Sequence, residues 1–139
     1  MLRGTYLKSW SSTQKNITLS SGEAEVVAAV KMSTEVMGIR QLAAEWGLEL
    51  QGAVYVDSSA ALGVTRRKGN GKLRHIRVGL LWIQQKNEDG TLAYRKVLGE
   101  INPGDLMTKH LGRKVVERLT EIMCVRFEAG RAEKSLQLA

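Results

Sequence analysis

The sequence is poor in the residues that stabilise small extracellular domains and in long apolar runs. It has one cysteine and one proline in 139 residues, and only 5% of its residues are aromatic. The single cysteine, Cys124, excludes an internal disulfide and a cysteine-cluster zinc site, and its apolar helical context predicts core packing. The longest apolar run is far shorter than a membrane span, and no basic and apolar leader opens the chain. We therefore expect a soluble intracellular protein.

Acidic residues are outnumbered by basic ones. The chain has 21 Lys and Arg against 14 Asp and Glu, a formal net charge of +7, and residues 1–18 contain no acid. This excess favours a polyanionic partner, of which nucleic acid is the first candidate. With 43% hydrophobic and 25% charged residues, the composition is that of one ordinary globular domain.

Hydrophobic periodicity predicts a mixed α/β chain. Two strands of a hairpin come first, followed by a long helix that ends at Gly47, and then by alternating strands and helices. The predicted strands are residues 2–10, 14–19, 51–56 and 91–97, and the predicted helices are 21–46, 58–65, 75–87, 103–111 and 113–127. The strand at 51–56 is continuously apolar over residues 53–56, which predicts burial on both of its faces.

The long helix begins with a capping pattern and a carboxylate of uncertain role. Ser20 and Glu23 have capping-box spacing. Helical steps from Glu25 reach a run of apolar residues that comprises Ala28, Ala29, Met32, Val36, Ile39, Ala43 and Trp46, so Glu25 heads the predicted buried stripe. A buried carboxylate needs a metal or a cation beside it, whereas a carboxylate at the wet helix mouth needs only the helix dipole. The sequence leaves both interpretations open.

Three carboxylates follow predicted strands or open predicted helices, namely Glu25, Asp57 and Asp105. Ligands of α/β sheets gather outside the carboxyl ends of the strands, so these acids can converge. Converging carboxylates repel unless a hard cation joins them, and two Mg²⁺ or Mn²⁺ ions about 4 Å apart activate water against a phosphodiester. The local alternative is that Asp57 caps the helix at Ser58 and that Asp105 answers the dipole of helix 103–111.

Five separated motifs resemble the ribonuclease H domain of copia-type retrotransposon Pol polyproteins, in the same order and spacing. They are KSWSSTQ at 8–14, LSSGEAE at 19–25, YVDSSAA at 55–61, RHIR at 74–77 and GDLMTK at 104–109. The resemblance implies a ribonuclease H-like fold over residues 1–111, with a central mixed sheet that is flanked by helices and lacks its first strand. Beyond it, the sequence pattern predicts a C-terminal helix and polar tail over 112–139. It also implies that Glu25, Asp57 and Asp105 are catalytic metal ligands for Mg²⁺ or Mn²⁺.

The function implied by the resemblance is metal-dependent hydrolysis of the RNA strand of RNA–DNA hybrids. It would act beside the reverse transcriptase portion of a larger polyprotein, in a cytoplasmic particle or the nucleus. In the family a first catalytic aspartate lies on a strand upstream of the hairpin, so we expect residues 1–139 alone to lack that strand and to be catalytically weak. The alternative is a non-catalytic remnant that binds nucleic acid.

A basic, glycine-punctuated loop follows the small helix at 58–65. Six cations fall within residues 66–77, and such a loop suits contact with a phosphate backbone without reading sequence. A solvated loop is the alternative. We expect nucleic acid to contact Arg66, Arg67, Lys68, Lys72, Arg74, His75 and Arg77.

Overall fold

The computed structural model describes residues 6–14, 18, 20–69 and 77–125. The chain forms two compact units, one of Thr13–Glu100 and one of Met1–Ser12 with Ile101–Ala139. Within the described ranges, no helix has the length and apolar character needed to cross a bilayer.

The larger unit is an α/β arrangement built on a parallel strand pair. Strands β1 (Gly52–Val56) and β2 (Leu92–Lys96) pair from Gly52 opposite Leu92 to Val56 opposite Lys96. Helices α1 (Ser21–Glu45), α2 (Ser59–Arg66) and α3 (Arg77–Glu88) pack against the pair. In the part of the chain that the structure describes, the sheet has these two strands, so the α/β class is confirmed and a larger mixed sheet is not observed.

Helix α1 has the predicted ends. The Ser20 hydroxyl accepts a hydrogen bond from the Glu23 N–H at 3.2 Å, which satisfies one of the donors left over at a helix start. At the other end Gly47 has φ +73°, and its N–H donates to the Ala44 carbonyl at 2.9 Å. Glycine adopts this left-handed backbone without steric cost, so the helix stops there.

The buried face of α1 differs from the predicted stripe. Val26, Ala29, Ser33 and Ala43 are buried, whereas three members of the predicted stripe are exposed, namely Ala28, Met32 by 42% and Trp46 by 71%. Glu25 is half-buried, and it is Glu23 that is buried in the first turn. Apolar residues occur on every side of this helix, so periodicity alone did not determine which side faces the core.

Close packing on β1 and β2 selects the face of α1. A Cβ added to Gly52 would lie 2.9 Å from Val36 Cγ1 and 2.5 Å from Leu92 Cδ2, so only glycine fits between helix and strands. The Arg40 guanidinium donates to the carbonyls of Leu50 at 2.8 Å and Thr91 at 2.7 Å. These contacts hold α1 against the residues that precede both strands.

The core lies on one face of the strand pair. Its buried residues come from every element of the unit and include Val26, Val54, Val56, Ala61, Leu80, Ile83, Leu92 and Tyr94. Along β1 burial alternates, and Ala53 and Tyr55 are exposed, so the expectation of burial on both faces is wrong. An apolar run of five residues is compatible with either arrangement, because alanine and tyrosine are tolerated at exposed strand positions.

The N-terminal strands are not observed where the structure describes the chain. Residues 6–14 contain no strand. Tyr6 instead hydrogen bonds Ser9, and the Gln14 carboxamide donates to the Ala24 carbonyl at 2.8 Å. Serine, threonine and glutamine side chains compete with strand pairing by making such local bonds, and an isolated hairpin is only marginally stable. The remainder of the predicted hairpin, residues 2–5, 15–17 and 19, lies outside the described residues.

The smaller unit contains a 3₁₀ helix at Pro103–Met107 and helix α4 at Arg113–Ile122. The predicted helix at 103–111 is therefore shorter and more tightly wound. Cys124 follows the end of α4 with φ +57° and is exposed, so its predicted place in the core is wrong. The chain leaves the helix before the cysteine is reached, since Val125 N–H already bonds back to the Thr120 carbonyl at 3.0 Å.

Candidate metal and nucleic-acid site

Two of the three predicted metal ligands lie at the same end of the larger unit. Glu25 is the fifth residue of α1, Asp57 follows β1 directly, and both are half-buried. The first turns of α1 and α2 approach closely, since a Cβ placed on Gly22 would contact the Ala60 Cβ at 3.7 Å. Glu25 and Asp57 therefore lie beside neighbouring helix starts at the carboxyl end of β1.

Asp57 is not the cap of α2. That role belongs to Ser58, whose hydroxyl accepts from the Ala61 N–H at 3.1 Å. The local alternative for Asp57 is thus wrong, because the orphan N–H groups at this helix start are served by the residue after it.

A lysine that sequence reasoning missed reaches the same strand end. Lys96 closes β2, and its ammonium donates to the Asp57 carbonyl at 2.5 Å and to the Ser59 hydroxyl at 2.7 Å. The parallel register puts Lys96 opposite Val56, one residue before Asp57. In the sequence, Lys96 is marked only by its place near the end of a predicted strand. That place becomes informative only once the pairing of β1 with β2 is known.

Asp105 belongs to the smaller unit and has a cation of its own. The Lys109 ammonium lies 2.9 Å from both carboxylate oxygens, four residues further along the chain. The N-terminal cap of the 3₁₀ helix is Asn102, whose side chain accepts from the Gly104 N–H at 3.1 Å. Asp105 still lies in the first turn, as the dipole interpretation requires.

Convergence of all three carboxylates stays a prediction. Two of them lie in one unit and Asp105 lies in the other. Among the residues that the structure describes, no group of three or more His, Cys, Asp or Glu side chains is arranged to hold a metal ion. Of the predicted ligands, Glu25 and Asp57 belong to the larger unit and lie at the same end of it.

The first part of the basic loop forms a turn between α2 and α3. We call residues 66–69 the basic turn, in which Arg66 ends α2, Arg67 follows as its C-terminal cap, and Gly69 has φ +82°. The turn and α3 line an open cavity of ≈ 350 Å³. Lys72, Arg74 and His75 lie outside the described residues, and Arg77 is the first residue of α3.

Two amides of α3 hold the basic turn, and sequence reasoning missed both. The Gln84 side-chain nitrogen donates to the carbonyls of Val64 at 2.9 Å and Gly69 at 3.0 Å, while its oxygen accepts from the Gly69 N–H at 3.1 Å. The Asn87 amide donates to the Thr65 carbonyl at 3.3 Å. The signal in the sequence is indirect: α2 ends in basic residues without an immediate glycine, so its last carbonyls need partners from elsewhere.

Charge in the turn is partly balanced by α3. The Lys68 ammonium lies 2.7 Å from Glu88 Oε1, and this hydrogen bond and the opposite charge raise the pKa of Lys68. Arg66 and Arg67 add two further exposed guanidinium groups to the same wall. The turn therefore presents cations on a fixed backbone, with one carboxylate in competition for them.

Comparison with known proteins gives one informative result. No family model matches the chain, and no solved structure matches it. Over 118 residues, 83% of its length, the chain is 31% identical to a protein of Nicotiana tabacum named "Retrovirus-related Pol polyprotein from transposon TNT 1-94". The matched region is 9% of that polyprotein. The chain is thus related in sequence to a short segment of a retrotransposon Pol polyprotein.

Proposed function

We propose that this chain belongs to a ribonuclease H-like domain of retroelement origin, which in its complete form hydrolyses the RNA strand of RNA–DNA hybrids with Mg²⁺ or Mn²⁺. The observation that carries the proposal is the placement of Glu25 and Asp57 beside the neighbouring starts of α1 and α2, at the carboxyl end of β1. The sequence relation to a Pol polyprotein supports it independently.

The donor set fits a hard divalent cation. Glu25, Asp57 and Asp105 all offer carboxylate oxygens, the ligands that Mg²⁺ and Mn²⁺ prefer. Bound there, the ions would supply an activated water and stabilise charge on the phosphate and the leaving oxygen. Asp105 would exchange its Lys109 partner for the metal, since that ammonium lies on both carboxylate oxygens.

Residues around the carboxylates have supporting roles. Lys96 holds the Asp57 carbonyl and the Ser59 hydroxyl, so it fixes the chain from which the Asp57 carboxylate projects. The basic turn offers Arg66, Arg67 and Lys68 to the phosphates of the hybrid. Phosphate contacts position a duplex without reading its sequence, which suits a nuclease that must cut many hybrids.

The test is cleavage of a labelled RNA–DNA hybrid in Mg²⁺ and in Mn²⁺. We would assay the 139-residue chain, and also the chain joined to the segment that precedes the matched region in the tobacco polyprotein, because the family resemblance implies a further aspartate there. We expect slow or no cleavage by the chain alone and clear cleavage by the joined protein, which D57N should reduce by about 10²-fold or more.

The matched control is E45Q, which removes an exposed carboxylate from the far end of α1. It should leave cleavage unchanged, whereas E25Q on the same helix should abolish it. Cleavage that survives both D57N and E25Q would overturn the proposed metal site.

The second candidate is a domain that binds hybrid without cutting it. The close contact of Lys109 with both Asp105 oxygens favours this alternative, because an ammonium then satisfies the carboxylate that a metal would need. It predicts hybrid binding that is insensitive to a chelator, together with no cleavage by the joined protein.

A further inference from the structure

The last carbonyl groups of helix α2 accept hydrogen bonds from a neighbouring helix. Arg67, the residue after the helix, has extended backbone, so the chain does not turn back to satisfy them. The carbonyls of Val64 and Thr65 instead accept from the amides of Gln84 and Asn87 on α3. The end of α2 is therefore fixed from outside by two side chains of the neighbouring helix.

Gln84 also holds the far end of the basic turn. Its carboxamide pairs with Gly69 in both directions, giving to the carbonyl and accepting from the N–H. Gly69 has φ +82°, a conformation that glycine adopts freely, and this lets both of its backbone groups face one amide. Gln84 is itself buried, with 8% of its surface exposed. One side chain thus bridges the residues on either side of Arg66, Arg67 and Lys68.

We propose that Gln84 is a positioning residue that holds Arg66, Arg67 and Lys68 in one fixed arrangement for consecutive phosphates of an RNA–DNA hybrid. The inference rests on the proposed function, since it assigns the basic turn to the same nucleic-acid substrate. Three adjacent cations on an unrestrained turn repel one another and lose conformational entropy on binding. A turn that is already held in place loses less conformational entropy on binding, which is the general benefit of preorganisation.

The positioning role has two measurable consequences. The first is hybrid affinity and its salt dependence, because each neutralised phosphate contributes about 0.9 to the slope of log K against log salt. The second does not involve nucleic acid: trypsin cleaves after Arg66, Arg67 and Lys68, and a held turn resists it.

The experiment compares Q84M with Q85M in the complete 139-residue chain. Methionine keeps the length of glutamine and removes its hydrogen bonds, and Gln85 is the exposed neighbour on the same helix and the same cavity wall. We expect Q84M to bind hybrid about threefold to tenfold more weakly with a lower salt slope. Trypsin should cut its turn faster, while Q85M should match the parent in both measurements.

The variant R66A/R67A/K68A separates this inference from the proposed function. It should weaken hybrid binding and lower the salt slope by up to about three. In that background Q84M should have no further effect on affinity, because the residues that it positions are gone. Unchanged binding in the triple variant would overturn the contact between turn and phosphate.

In another outcome, the triple variant binds hybrid more weakly, while Q84M binds hybrid, and is cut by trypsin, like the parent. That combination would overturn only the role of Gln84. Circular dichroism shows whether Q84M is folded. If it is not, N87A provides the same test with the single bond to the Thr65 carbonyl removed, and a smaller effect of the same sign is expected. Unchanged digestion and binding in a folded N87A protein would then count against the proposal.

Discussion

Among single residues, Glu88 has the clearest electrostatic effect on the basic turn. Its carboxylate lies 2.7 Å from the Lys68 ammonium and competes with any phosphate for that cation. We expect E88Q to raise hybrid affinity about twofold to fivefold at low salt, with the gain disappearing at high salt because both groups are exposed. A salt titration of hybrid binding measures this.

The control for E88Q is E45Q, which makes the same change of net charge at the end of α1. Equal gains in the two variants would show that only the total charge matters and that the pair with Lys68 has no special part. A gain confined to E88Q identifies a local competition.

Asp89 provides a residue-level test of pH dependence. Hydrogen bonds from Thr91, including one from its N–H at 2.8 Å, lower the pKa of Asp89, and Lys86 at 3.2 Å adds to this. A lowered pKa contributes stability above the unfolded value near 3.9, and this is lost as the pH falls through the folded value. D89N should thus lower the urea midpoint at pH 7, and the difference from the parent should shrink as the pH falls below the unfolded value. A difference that does not shrink in acid would contradict the charge effect.

At the scale of elements, a chain of buried hydroxyls joins α1 to β2. Ser33 Oγ donates to the Ala29 carbonyl at 2.7 Å, which leaves it to accept from the Tyr94 hydroxyl at 2.8 Å. Burial raises the pKa of Tyr94, so its hydroxyl stays protonated and can donate. Both side chains are almost fully buried, Ser33 with 0% and Tyr94 with 4% exposed.

We expect S33A to cost about 1–3 kcal/mol because it leaves the Tyr94 hydroxyl buried without its acceptor. Y94F should cost less, about 0.5–1.5 kcal/mol, since Ser33 keeps its bond to the Ala29 carbonyl. Urea unfolding of both variants measures the difference. A larger loss in Y94F than in S33A would contradict the direction assigned to these bonds.

Elements with strong local signals were predictable from the sequence. Capping residues placed the start of α1 at Ser20 and its end at Gly47, and the apolar run placed β1 between Gly52 and Val56. The 3₁₀ helix at Pro103–Met107 was predicted too long, because proline marks a helix start but carries no information on its length. The buried side of α1 depended on Arg40 and Gly52, whose partners are distant in sequence.

For the whole molecule, the position of two carboxylates at one end of the larger unit was predictable, but the contacts around them were not. The family motifs predict that Glu25 and Asp57 are metal ligands, which stays a prediction, and both residues lie beside the neighbouring starts of α1 and α2. The contacts of Lys96 and Gln84 were not predictable, because both reach backbone groups of residues that the parallel pairing and the packing of α3 on α2 bring near. Side chain to backbone bonds of this kind leave no periodic signal.

The final prediction concerns whether Asp105 acts together with the carboxylates of the larger unit. If Asp57 and Asp105 ligate the same metal pair, either D57N or D105N alone should weaken Mn²⁺ binding about tenfold or more, and the double variant should be little worse than one change. Mn²⁺ titration followed by electron paramagnetic resonance measures this, with E45Q as the control for lost charge. If D105N leaves Mn²⁺ binding unchanged while D57N weakens it, Asp105 acts apart from Asp57. In that case Asp105 would have a structural role through its salt bridge with Lys109, and metal binding would depend on the carboxylates of Glu25 and Asp57.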